Sequence, residues 1–92
     1  MTNWDIAGFI VSPAKNKKYR AVLINKKNPS QTANVDFGDN RYEQYQDQTG
    51  VGAFSHVDHL DPVRRASYRS RHKVFLKPGY YTPAYFSYYY LW

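Results

Sequence analysis

The stretch that decides the fold is residues 18–37, KYRAVLINKKNPSQTANVDF. Its first eight positions are rich in aromatic and branched apolar side chains, and residues 32–37 form a second extended run. Between the two runs, residues 26–30 combine lysines with Asn, Pro and Ser, which is typical of a tight connection. The stretch therefore predicts a β-hairpin with a basic loop.

The residues before this hairpin also favour extended structure. Residues 6–11 form a short apolar run of strand length that Ser12 and Pro13 close. Residues 1–38 are therefore predicted to be mainly extended, as a β-hairpin or a small antiparallel sheet. After Gly38, residues 39–60 are polar and contain two further glycines, so they are predicted to form a polar loop.

The clearest helix start in the chain is Asp61-Pro62, because Asp is a good N-cap and Pro is well suited to the first helical position. An Arg-rich helix is predicted over residues 61–73. Helical spacing divides its side chains into two stripes. The stripe expected to pack inward is Val63, Ala66, Ser67 and Ser70, and the stripe expected to face outward is Arg65, Tyr68, Arg69 and His72.

A second helix is predicted over residues 82–92, where Thr82-Pro83 repeats the cap-then-proline start. Aromatic side chains surround this helix, so we expect it to be buried, either in the protein's own core or against a partner. The candidate partner-interface residues are Tyr85, Phe86, Tyr88, Tyr89, Tyr90 and Trp92. Together these elements predict one small α+β domain over residues 1–92, with an N-terminal β-hairpin or small antiparallel sheet followed by two short helices.

Composition limits the class of protein. A chain of 92 residues has room for one modest core, and the absence of cysteine excludes disulfides, a thiolate nucleophile and a cysteine zinc site. No run approaches the roughly 20 apolar residues that a membrane helix needs, so no membrane partner is predicted. We expect an intracellular protein, because the N-terminus does not resemble a secretory signal.

Charge is segregated along the chain. Six of the seven acids lie within residues 32–62, whereas residues 1–31 and 63–92 hold all the Lys and Arg except Arg41. This pattern is compatible with blocks that neutralise one another inside the fold, or with copies in an assembly that meet through opposite patches.

Basic and aromatic residues are interleaved in the Arg-rich helix, which suits phosphate binding and stacking together. The candidate basic surface, with possible contacts to nucleic acid, is Lys17, Lys18, Arg64, Arg65, Arg69, Arg71 and Lys73. Alternatively, the arginines pair with the acidic block and the tyrosines form the core.

Residues 55–61, SHVDHLD, carry the side chains that most resemble a reactive site. Their histidines and aspartates match no metal-ligand spacing, and Ser55-His56 lacks the context of a catalytic serine, so we predict no metal, no cofactor, no catalytic residue and no enzyme. Asp58, His59 and Asp61 are instead interpreted as a structural corner between the loop and the helix.

From Val35 onward the chain resembles a family of short, functionally uncharacterised basic proteins of tailed bacteriophages and large DNA viruses. The matching elements are Val35-Asp36-Phe37-Gly38, Tyr45-x-Asp47, His56-x-Asp58-His59-x-Asp61-x2-Arg64-Arg65-x2-Tyr68-x2-Arg71-His72 and Tyr81-x-Pro83-x-Tyr85-Phe86-Ser87-x2-Tyr90-Leu91-Trp92. The resemblance implies a viral origin and brings no established activity with it.

These observations predict a structural virion component, such as a minor capsid, cement or head-completion protein. Its partners would be other virion proteins, chiefly the major capsid protein, against which the Tyr-rich helix and the apolar strand at residues 6–11 would bury. It would be made in the host cytoplasm and located in the virion. The alternative is a non-structural viral protein that binds DNA or a host protein through the Arg-rich helix.

Overall fold

The computed structural model describes residues 3–77 and 79–92 of the chain, so the first two positions of the predicted extended segment lie outside the described residues. Its elements are the strands β1 (Trp4–Val11), β2 (Lys17–Asn25) and β3 (Thr32–Asp39), the helices α1 (Pro62–His72) and α2 (Pro83–Tyr90), and short 3-10 turns at Ser55–Val57 and Lys73–Phe75. The strands form an antiparallel sheet in the order β1-β2-β3. The predicted small α+β class, an antiparallel sheet followed by two short helices, is confirmed.

Strand register places the apolar side chains of the sheet on one face. Tyr19 pairs with Phe37, and Ala21 pairs with Phe9 on one side and Val35 on the other. Because directly paired residues of antiparallel strands share a face, these side chains form one continuous apolar layer. The period-two pattern of β2, in which Tyr19 and Ala21 are fully buried, therefore fixes which face becomes the core.

Helix α2 covers this apolar face. Phe86 is fully buried, and its ring stacks on that of Phe37 with 5.3 Å between the ring centroids. Phe9 from β1 meets both rings edge-on, each at 5.9 Å. Full burial of one such side chain contributes about 1.5–3 kcal/mol to folding. The strand at residues 6–11 is thus paired with β2 and contributes Phe9 to the protein's own core.

The predicted faces of α1 are reversed in the structure. The stripe Arg65, Tyr68, Arg69 and His72 is half-buried on the side of α2, whereas Val63, Ala66, Ser67 and Ser70 are exposed. Small side chains offer little contact area, while Tyr and Arg provide long flat surfaces that pack well. Area available for packing therefore decides the orientation of α1, and apolar character does not.

The backbone carbonyl groups at the C-terminal end of α2 accept hydrogen bonds from the polar loop. The backbone amides of Gln48 and Gln46 donate to the carbonyls of Tyr90 and Leu91, at 2.8 and 3.1 Å. These bonds satisfy carbonyl groups that a helix leaves without partners in its last turn. They also tie the polar loop, residues 39–60, to the position of α2.

A buried polar network holds the same loop against the sheet. The hydroxyl of Tyr19 donates to Asp47 Oδ2 and accepts the amide of Phe54 at 2.8 Å. Burial and the bond to Asp47 raise the pKa of Tyr19 to about 12. Burial opposes ionisation of Asp47, but hydrogen bonds from Thr49, Tyr19 and Gly52 outweigh it and lower the pKa of this carboxyl. The loop is therefore an ordered part of the fold.

Candidate binding cleft

A cleft of about 930 Å³ opens between α1, α2 and the end of the hairpin that β2 and β3 form. Val63, Ser67 and Arg71 contribute its α1 side, and Lys17 and Gly38 contribute its sheet side. Helix α2 contributes Pro83, Ala84 and Ser87, and Leu91 lines the cleft directly after the helix. The volume lies at the upper end of the range for ligand pockets. Val63 and Ser67 of the exposed stripe thus line this cleft, whereas Ala66 and Ser70 do not.

Five Lys and Arg residues line the cleft, of which Lys18 is buried, and two of the four exposed ones are paired with carboxylates. Arg41 binds Asp39 with two hydrogen bonds of 2.7 and 2.9 Å, which lower the pKa of Asp39 to about 2. Arg64 donates to Glu43 at 3.0 Å. Lys17 and Arg71 form no ion pair with any of the described residues. These last two cations, from opposite sides of the cleft, leave it with uncompensated positive charge.

The other residues of the predicted basic surface have different environments. Arg65 Nε and Arg69 Nε donate to the backbone oxygen of Trp92 at 2.8 and 3.2 Å, at the negative end of the α2 dipole. Their guanidinium groups also lie over the rings of Tyr45 and Tyr88. Lys73 is exposed beyond the end of α1. Arg65 and Arg69 therefore connect α1 to the segment at the C-terminal end of α2.

Lys18 is a correction to the predicted basic surface, because its side chain is only 2% exposed. Its amino group donates to Gln44 Oε1 at 2.8 Å, and Gln44 in turn donates to Asp58 Oδ1 at 2.7 Å. Burial lowers the pKa of Lys18, although Asp39, Asp58 and Asp47 act in the opposite direction. A residue on the outer face of a strand becomes buried here because the polar loop folds over the end of β2.

Three stacked rings lie beside the cleft. Tyr68 lies between His72 and Trp92, with centroid separations of 3.9 and 4.1 Å and nearly parallel planes. Burial raises the pKa of Tyr68. Both faces of the Tyr68 ring are covered, so the stacking surface that the sequence suggested for nucleic acid is already occupied within the fold.

The predicted partner interface on α2 is largely an intramolecular surface. Phe86 is a correction, because its side chain has no exposed area and lies in the core. Tyr85, Tyr90 and Trp92 are half-buried against that core, and Tyr88 is half-buried as well. Tyr89 is 46% exposed and is the member of the set that faces solvent. A helix that is aromatic all round packs here against its own sheet.

The residues of the predicted structural corner bond to neighbouring groups. Asp58 Oδ1 also accepts the amide of Asp47 at 3.0 Å, His59 Nδ1 accepts the amide of Asp61 at 2.9 Å, and Asp61 caps α1 by accepting from Val63 and Arg64. Within residues 3–77 and 79–92, no group of three His, Asp or Glu residues could hold a metal ion. No helix in the same ranges is long and apolar enough to span a membrane.

Sequence reasoning missed Gly38, which lines the cleft, and Gln44, which accepts a hydrogen bond from the lining residue Lys18. Gly38, in the left-handed region at φ +75°, lies so close to α2 that an added Cβ would be 2.9 Å from Leu91 Cδ1. Gln44 is completely buried in the polar loop. The Gly-Asp-Asn turn was a usable signal for Gly38, whereas no local pattern distinguishes Gln44 from the exposed glutamines near it.

Comparison with known proteins identifies similarity over most of the sheet and the start of the polar loop. The model of a family of unknown function (DUF5754) matches residues 8–48, which cover the second half of β1, all of β2 and β3, and the first part of the polar loop. Both helices, and with them the α1 and α2 sides of the cleft, lie outside the matched range. No curated protein and no solved structure matches the chain.

Proposed function

We propose that this protein is a structural component of a virus particle that binds neighbouring subunits without catalysing a reaction. The observation that carries the proposal is the distribution of exposed apolar side chains. Of the nine large apolar side chains that are exposed among the described residues, six lie between residues 60 and 89. They are Leu60, Val63, Val74, Phe75, Tyr80 and Tyr89.

The extent of exposure supports a partner for this half of the molecule. Val63 and Val74 are more than 70% exposed, and Phe75 is 60% exposed. Single exposed apolar residues are ordinary, but a concentration of large ones in one half of a small protein is typical of an interaction surface. The partner-binding residues proposed here are therefore those around α1, with Tyr89 from α2, rather than the aromatic ring of α2 as a whole.

Leu60 adds a backbone argument. It is 55% exposed and lies in the left-handed region at φ +54°, a conformation that costs a residue with a Cβ about 1–2 kcal/mol. Glycine would relieve that strain. In the isolated protein the exposed leucine side chain gains little from burial, so packing within the fold does not explain its presence. Strained residues with exposed side chains often serve function, so Leu60 supports the proposal independently.

The experiment is quantitative mass spectrometry of purified particles that contain either the natural protein or Leu60→Gly. We expect the natural chain in fixed proportion to the major shell protein. Leu60→Gly should be depleted from particles although its unfolding midpoint in urea is as high as that of the natural protein. Absence of the natural chain from particles would contradict the virion role and leave the free binding protein.

A second candidate function, binding of nucleic acid, is favoured by the surplus of unpaired cations. Six Lys and Arg side chains make no ion pair with the described residues and are exposed: Lys15, Lys17, Lys27, Arg71, Lys73 and Lys77. Backbone phosphates are suitable partners for such groups, and the resulting affinity falls steeply with salt. Salt-dependent DNA binding by a protein that is absent from particles would favour this second function.

A further inference from the structure

We infer that the cleft between α1, α2 and the hairpin end binds an acidic segment of a partner protein that also carries apolar side chains. This inference deepens the proposed function, since it rests on a binding role and names the chemistry of the partner. It does not depend on where in the infected cell the partner is found.

The first argument is that the carboxylates of the protein already have partners within the fold. Four of the seven acids form ion pairs, namely Asp5 with Lys26, Asp36 with Arg20, Asp39 with Arg41 and Glu43 with Arg64. The other three, Asp47, Asp58 and Asp61, accept hydrogen bonds from neighbouring groups. Every acid of the chain is therefore engaged, and Lys17 and Arg71 form no ion pair with the described residues, so both remain available to carboxylates of another molecule.

The second argument is the apolar content of the same cleft. Pro83, Ala84 and Leu91 line it from α2, and the highly exposed Val63 lines it from α1. A phosphate backbone gains nothing from these groups, whereas a peptide can place an aliphatic side chain on them while its carboxylates reach the cationic rim. The combination of charge at the rim and apolar surface within favours an amphipathic peptide.

The third argument is that aromatic stacking on a base is hindered. Single-stranded nucleic acids obtain much of their affinity by stacking bases on open aromatic faces. Tyr68 is covered on both faces by His72 and Trp92, and Arg41 lies over the Tyr42 ring at 5.8 Å from its centroid. Tyr68 is thus closed to a base, and Tyr42, which is 65% exposed, is the tyrosine of the cleft that keeps an open ring face. A single open tyrosine offers little stacking surface, which favours a protein partner over a nucleic acid.

The test is fluorescence anisotropy with a labelled short peptide that alternates glutamate and leucine. We expect saturable binding to the natural protein. Lys17→Ala combined with Arg71→Ala should weaken it by about tenfold, since each removes one exposed charge contact. The matched control, Lys27→Ala with Lys73→Ala, removes the same charge outside the cleft and should change affinity by less than about twofold.

A second pair of variants tests whether the peptide binds in the cleft, without changing the charge of the protein. Ser67 is exposed and lines the cleft, whereas Ser70 is exposed on the same helix and does not line it. Ser67→Phe should fill the cleft and abolish peptide binding, and Ser70→Phe should leave it intact. Circular dichroism and urea unfolding of all four variants should match the natural protein, because each substitution is at an exposed position.

Three results would overturn the inference. They are equal losses in the cleft variants and their controls, absence of peptide binding, or tighter cleft-dependent binding of oligothymidylate than of the peptide. The last result would identify nucleic acid as the partner.

The failure of this inference and the failure of the virion role are distinguishable. Peptide binding by a protein that is absent from particles would leave the inference standing and remove only the virion role. Presence in particles without peptide binding would support the virion role and overturn the inference.

Discussion

The sheet half and the helical half of this protein are held together in different ways. In the sheet half, residues 4–39, alternate side chains point to one face and bury a continuous apolar layer. In the helical half, residues 55–92, α1 is fixed by arginines that donate to the backbone oxygen of Trp92 and by the stacked ring of Tyr68. Apolar burial dominates the first half, and polar and aromatic contacts dominate the second.

This difference shows when an amphipathic pattern predicts correctly which face of a strand or helix packs inward. β2 contains Tyr19, Ala21 and Leu23 at alternate positions, and no other set of its residues could form a comparable core face. On α1 the apolar stripe contains only one residue larger than alanine, Val63. When no stripe is strongly apolar, hydrogen-bond demand and contact area decide which side packs.

The largest expected effect comes from the residue that joins the two halves. Phe86→Ala should lower the free energy of unfolding by about 3–5 kcal/mol, because it leaves a cavity beside Phe37 and Phe9. Urea unfolding followed by circular dichroism and tryptophan fluorescence should show loss of both halves in a single transition. Tyr89→Ala, an exposed aromatic on the same helix, is the control and should cost less than about 0.5 kcal/mol. Survival of the sheet alone would show that the halves fold independently.

A smaller effect is expected from the bond that ties the loop to the sheet. The raised pKa of Tyr19, about 12 against 10 in the unfolded chain, stabilises the protein below pH 10, and this stability is lost as pH rises towards 12. Tyr19→Phe should cost about 2 kcal/mol near neutral pH, because it leaves the Phe54 amide and Asp47 without a partner.

The measurement is the urea midpoint as a function of pH. The Tyr19→Phe curve should be flatter than that of the natural protein between pH 10 and 12. Tyr42→Phe, at an exposed ring, should keep the natural shape of the curve. A Tyr19→Phe curve that falls as steeply as the natural one would assign the alkaline loss to other tyrosines, such as Tyr85, whose pKa burial also raises.

The smallest effect should be confined to the helical half. Arg69→Met removes the donor to the backbone oxygens of Trp92 and Tyr88 but keeps most of the side-chain length, so we expect a loss of about 1 kcal/mol. Amide hydrogen exchange should become faster in α1 and α2 while β1 to β3 keep their protection. Arg71→Met, two residues away on an exposed side of α1, should change neither. Equal acceleration in the sheet would contradict the division into two halves.

Much of the fold followed from local signals. The turn residues at 26–30 and the caps Asp61 and Thr82 predict β2, β3, α1 and α2 to within two residues of their observed ends. The helix ends differ where packing intervenes: α2 stops at Tyr90 because loop amides and arginines take over its last carbonyls. The proposed site was less predictable, since Lys17 and Arg71 are far apart in the chain and look no different from cations that are buried or paired.

The sequence was enough to place an extended N-terminal segment before two capped helices, and to show that positive charge exceeds negative. These properties depend on neighbouring residues and on composition. Only the tertiary structure decided that Lys18 and Phe86 are buried, that the arginine stripe of α1 faces inward, and which cations remain unpaired beside a cleft. Each of those outcomes depends on contacts between residues distant in the chain, where competition for area and hydrogen-bond partners has no local signature.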